Sequence, residues 1–194
     1  MPEDAPVTIN RRPARVPRRS PMDSTPGGRP ARGYVFKMPE QVEVSREIKA
    51  PADRVWALLT DLTRMGEWSP ESRGGTWLGG ATGPAVGVKF RGTNRHGTKT
   101  WATVATLRQV DPPSRFSFRV TSSGLRIADW AYSIEPTAAG CRVTESWTGL
   151  MPRLLKPLSR MVSGVTDRAT HNRATMELTL DRLAAAAEGS TPRG

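Results

Sequence analysis

The chain has 194 residues, 37% hydrophobic and 24% charged, with 29 Lys and Arg against 18 Asp and Glu for a formal net charge of +11. That length supports one domain plus an extra segment. A lone cysteine, Cys141, excludes an intrachain disulfide and points to a reducing compartment. No apolar run approaches the roughly 20 residues a membrane helix needs, and the basic N-terminus lacks the apolar core of a secretory signal, so the expected location is the cytoplasm.

Composition changes near Glu40. Residues 1–40 hold eight of the 17 prolines, eight basic residues and four acidic ones. Runs such as Arg11-Arg12-Pro13 and Arg18-Arg19-Ser20-Pro21 cannot build a core, so this stretch reads as a disordered tail. Met22 and Met38 are alternative starts, and Met38 directly precedes the domain. The charge is spread, about +4 in the tail and about +6 over residues 41–188, so no specific nucleic-acid surface is expected. Peripheral contact of the basic tail with an anionic partner is the alternative, and it predicts strongly salt-dependent binding. Residues 41–188 form the expected domain and 189–194 a second disordered end.

Val42 and Val44 alternate with polar neighbours, the period of a half-buried strand. Pro51 suits a first helical turn, Asp53 suits the positive end of the helix dipole, and Val55, Leu58, Leu59 and Leu62 form an apolar stripe. Residues 63–69 read as a second short helix or turn carrying Trp68. Residues 74–78 read as a strand, and the glycines of 79–84 as a turn whose spacing does not match a nucleotide loop. Val86, Val88 and Phe90 begin a further strand, residues 94–97 reverse it, and the Thr- and Val-rich run 100–110 returns.

After the turn Asp111-Pro112-Pro113-Ser114, Phe116, Phe118 and Val120 alternate with polar residues, and Ser122-Ser123-Gly124 turns the chain again. Trp130, Tyr132 and Ile134 share one strand face, and Cys141, Val143, Glu145 and Trp147 share another. Pro152 and Pro157 interrupt the chain. Val165, Ala169, Asn172, Met176, Leu180, Leu183 and Ala187 then keep helical spacing over residues 164–187, roughly 36 Å of helix. Strands joined by short turns make an antiparallel meander. The expected class is α+β: a bent antiparallel sheet of about seven strands gripping one long C-terminal helix, with two short helices after the first strand.

Ala50, Pro51, Val55, Trp56, Asp61, Trp68 and Pro70 fit a strand followed by "aP-x-x-x-V-W-x-x-l-x-D" and "W-x-P". Val86-Gly87, Asp111-Pro112-Pro113 and the run from Gly140 to Trp147 follow in order, before a long terminal helix. In this ordered series, over residues 41–188, the chain resembles the SRPBCC (START-like) superfamily, and in particular its polyketide cyclase/dehydrase branch. The resemblance implies a helix-grip fold with a deep hydrophobic pocket between sheet and helix, for lipids, sterols, polyketides or quinones. It implies cyclase or dehydratase activity for some members and carriage for others.

Ala169, Asn172 and Met176 are small or adaptable, and they face a sheet rich in the chain's six tryptophans, which leaves either a packed core or a pocket. The ligand-binding candidates are Trp68, Trp77, Phe90, Trp101, Phe118, Trp130, Tyr132, Trp147, Asn172 and Met176, with plain packing as the alternative for each aromatic. Glu145 lies at an apolar parity, where burial would raise its pKa toward the range of a general acid. The alternative is a salt bridge with Arg119 or Arg91. His171 flanks the helix stripe beside a polar strip of Arg168, Asn172 and Thr175; it is a candidate base or a partly exposed helix residue. Asp129 and His96 are expected at the surface.

Two histidines and one cysteine, far apart in the chain, give no metal-ligand spacing, and no cofactor is expected. Neither a nucleophile elbow nor a phosphate loop occurs. The expected function is binding of a small hydrophobic ligand, by a monomer or a homodimer. The alternative is a polyketide cyclase, aromatase or dehydratase that shapes its substrate and uses Glu145 or His171 as acid or base.

Overall fold

The structure, a computed structural model, describes residues 39–189. Residues 1–38 of the expected tail, both alternative starts and the end of the chain at 190–194 fall outside the described residues, while Glu40 is held at the domain by the Gly149 amide and by Lys156.

In chain order the elements are β1 (Gln41–Ile48), α1 (Ala52–Thr60), a 3-10 segment (Leu62–Glu67), β2 (Ser72–Trp77), β3 (Lys89–His96), β4 (Lys99–Asp111), β5 (Arg115–Ser122), β6 (Leu125–Thr137) and β7 (Gly140–Gly149). A second 3-10 turn (Arg153–Leu155), α2 (Lys156–Ser163) and α3 (Arg168–Glu188) follow. The seven strands form one antiparallel sheet in the order β1-β7-β6-β5-β4-β3-β2. Each strand from β2 to β7 lies beside its chain neighbour, and β1 closes the far edge against β7. This is the helix-grip arrangement, a curved sheet holding a long C-terminal helix.

The alternation read in the strands is what sets the inner face. Cys141, Val143, Glu145 and Trp147 are all buried, and Phe116, Ala128, Tyr132 and Ile134 join them from β5 and β6. Helix α3 packs on β1, with further contact to β7 and α1. Its Asn172, Met176, Leu180, Leu183 and Ala187 are buried, as the stripe requires. Leu180 and Leu183 join a core with Val55, Leu59, Leu107 and Phe116, whereas Met176 packs with Val42, Ala128 and Trp147. Asp167 caps the helix by accepting from the Thr170 amide at 3.1 Å. Its 21 residues span about 32 Å.

Several local expectations are corrected. Pro51 is the N-cap of α1, extended at φ −60° and ψ 145°, so the helix starts one residue later than expected. The reversal expected at 94–97 begins only at Gly97. Asn94 and His96 stay in β3, paired with Trp101 and Lys99, and Asn94 Nδ2 donates to Thr103 Oγ1 at 3.1 Å. The sheet ladder and this side-chain bond override the turn preference of asparagine.

Pro157 does not interrupt order. It sits in the first turn of α2, where a missing N–H costs nothing, so a helix forms in a segment expected to be irregular. Gly164, at φ 72°, ends α2, which is why the terminal helix begins at Arg168. Among the described residues no helix is long and apolar enough to cross a membrane.

Candidate functional site

Two rows of side chains cross the inner face of the sheet. Register places Val42, Trp147, Trp130, Phe118 and Leu107 side by side across β1, β7, β6, β5 and β4. The adjacent row is Val44, Glu145, Tyr132, Phe116 and Val110. Trp147 is buried beneath Met176, but Phe118, Trp130 and Val120 are only half-buried. Because α3 lies over the β1 side, the aromatic wall on β5 and β6 is incompletely covered. Large apolar side chains on an inner face bury fully when a helix roofs them, so this stretch is the open part of the interior.

Glu145 sits under that wall, 2% exposed. Tyr132 donates its hydroxyl to Glu145 Oε1 at 2.7 Å, and Oε2 has no hydrogen-bond partner among the described residues. Burial pushes the Glu145 pKa up to about 8, with the bond from Tyr132 acting in the opposite direction. Burial, followed by the neighbouring Glu145 charge, holds the Tyr132 hydroxyl well above its ordinary range. The carboxyl is therefore mostly protonated at neutral pH. With Oε1 already accepting from Tyr132, its proton belongs on Oε2, which becomes a donor without a partner among the described residues.

The salt bridge considered for Glu145 does not form. Arg119 instead grips Asp129 with two bonds of 2.7 Å on the opposite face, and Arg91 is exposed. That pairing also leaves Asp129 half-buried where a free surface position was expected. On α3, Asn172 lies one turn before Met176 and is buried, and its Nδ2 also lacks a partner among the described residues.

A second polar cluster stands where the start of α3 meets β3 and the segment before β2. His171 Nε2 donates to Glu71 Oε1 at 2.7 Å, and Arg168 Nη1 reaches the same carboxylate at 3.2 and 3.3 Å. The Arg168 guanidinium lies 6.0 Å from the Trp101 ring. His96, expected at the surface, is half-buried: its ring meets His171 edge-on at 4.8 Å and its Nδ1 donates to Ser163 O at 3.1 Å. The cause is α2, whose last carbonyl closes over the end of β3. Among the described residues no group of three or more His, Cys, Asp or Glu is arranged to hold a metal ion.

The remaining candidates are dispersed. Trp68 is 1% exposed, and its indole N–H is spent on Met65 Sδ at 3.1 Å beneath the first 3-10 segment. Trp77 and Phe90 meet edge-on at 5.1 Å at the β2–β3 edge of the inner face. A separate recess of about 260 Å³ opens on the opposite face, lined by Arg91, Ala102, Val104 and Thr121, and does not continue the aromatic rows. Sequence reasoning missed Glu71, which lies 100 residues from His171 and carries no local signal of the contact.

A family model described as polyketide cyclase / dehydrase and lipid transport matches residues 39–188. The chain belongs to this family. Among solved structures, the di-domain ARO/CYC StfQ from the steffimycin biosynthetic pathway aligns with a TM-score of 0.62 at 14% identity, covering 78% of this chain and 51% of that one. This polyketide cyclase/dehydrase family member therefore corresponds to about half of the di-domain protein. CV1439 from Chromobacterium violaceum gives 0.59 at 16% identity, covering 77% and 99%. MLL2253 from Mesorhizobium loti gives 0.57 at 17%, covering 78% and 99%. At such identities the likeness establishes the fold alone. No curated protein matches the chain.

Proposed function

We propose that the domain binds a small apolar molecule carrying an acceptor oxygen, held between α3 and the inner face of the sheet. The observation that carries this reading is the buried Glu145 Oε2, without a hydrogen-bond partner among the described residues, beside a half-open aromatic wall; burial, which pushes its pKa up to about 8, makes it a donor at neutral pH. Buried polar groups are almost always hydrogen-bonded, so one left over in an apolar interior calls for a partner. Asn172 Nδ2 is a donor of the same kind. Two such donors, one on β7 and one on α3, suit a ketone, ester or acid oxygen on an otherwise apolar body. The family description, which spans cyclases and lipid transport, accommodates such a ligand. A lone buried Cys141 fits a reducing, cytoplasmic setting.

The test is native mass spectrometry of protein purified from its own host, followed by extraction. A defined carbonyl-bearing lipid or aromatic metabolite, near one per chain, is the expected result. Ligand-free mass alone, with no rise in Tm on adding palmitate or 2-naphthol, would overturn the reading.

The second reading, a cyclase or dehydratase, is favoured by the Glu71–His171 contact, which orients an imidazole as acid–base groups require. Turnover of the extracted species, lost in His171→Ala while binding and Tm are kept, would promote it. An unchanged species after prolonged incubation would leave simple binding.

A further inference from the structure

Helix α2 is polar on its inward side and apolar on its outward side. Ser163 is buried, Ser159 is half-buried, and Ser163 Oγ donates to Ser159 O at 2.9 Å. Leu158, Met161 and Val162 are 48%, 64% and 43% exposed, and Leu154 in the preceding 3-10 turn is 92% exposed. Their spacing gathers them on one side of the helix. A helix in a globular domain ordinarily turns such a stripe toward the core. Residues 146–166 contain no acidic side chain but carry Arg153, Lys156 and Arg160, of which Lys156 pairs with Glu40.

We propose that α2 and the turn before it dock the protein on an anionic lipid surface. An apolar face bordered by arginines is what lies stably in a headgroup layer, where Leu and Met sink toward the acyl chains and cations meet lipid phosphate. Two other occupants are disfavoured by charge. A second copy packed about a two-fold axis would bring Arg153 and Arg160 of both chains into one interface, with no acidic side chain between residues 146 and 166 to offset them. The chain's residues 1–40, at about +4, share the sign of the face they would have to cover. The surface is independent of what the interior holds.

The experiment is flotation of the full chain with vesicles of phosphatidylcholine alone or with about 30% phosphatidylglycerol. The bound fraction is expected to rise at least about tenfold with the anionic lipid and to fall as salt is raised. It should drop at least about tenfold in Leu158→Ser/Met161→Ser at unchanged Tm, since both side chains are exposed. Arg153→Glu/Arg160→Glu should lose the preference for anionic lipid. Absence of flotation with anionic vesicles overturns the proposal. Equal flotation of the Ser double variant also does, because the basic N-terminal residues would then carry the contact. A dimer that the Ser double variant disperses would assign the face to a second copy instead.

Discussion

With a pKa near 8 in the folded chain against an ordinary 4.5, Glu145 keeps its proton across a range in which the unfolded chain loses it. The native state then binds the extra proton, so this group's contribution is fully present below about pH 4.5, is lost as pH rises toward 8, and is flat beyond. Its size is on the order of a few kcal/mol. Glu145→Gln keeps the shape and removes the titration, so the fall in Tm from pH 5 to pH 8.5 should be shallower than in the parent chain. Equal slopes would place the group in water. Tyr132→Phe removes the donor to Oε1 and should cost about 1–3 kcal/mol in urea unfolding. It should also move the titration upward, since that bond favours the charged form. Strand parity was enough to place Glu145 inside, between Val143 and Trp147. Its partner was not legible, because Tyr132 becomes its neighbour only through the β6–β7 register.

Among the elements, α3 was readable because Asn172, Met176, Leu180 and Leu183 recur at helical spacing over several turns. Helix α2 was hidden because Pro157 looks like a breaker until its place in the first turn is known. The β2–β3 pairing depends on Gly75, where a Cβ would lie 2.0 Å from Arg91 O and 2.7 Å from Phe90 Cε1. Gly75→Ala must push the two strands apart and should destabilise by about 1–3 kcal/mol in thermal or urea unfolding. Gly83→Ala, with nothing within 4 Å of the added carbon, should stay within about 0.5 kcal/mol of the parent. If the two variants behave alike, β2 is not held against β3 as described.

For the whole molecule, pairing of chain neighbours from β2 to β7 made the sheet order legible, since short turns leave antiparallel hairpins as the simple solution. The lateral position of α3 was not legible. Periodicity says which side of a helix is buried, not which strands it covers, and here it covers β1 and β7 while Phe118 and Trp130 stay half-open. The second polar cluster was hidden for the same reason: Glu71, His96 and His171 meet only when β2, β3 and α3 are in place.

The six tryptophans offer a direct test of where a ligand sits, because each contributes one indole N–H signal in a nitrogen-15 correlation spectrum. On titration with palmitate or 2-naphthol, the signals of Trp130 and Trp147 should shift saturably while that of Trp68, held on Met65, stays in place. Saturating probe that leaves Trp130 and Trp147 unmoved would contradict a binding interior between α3 and the sheet.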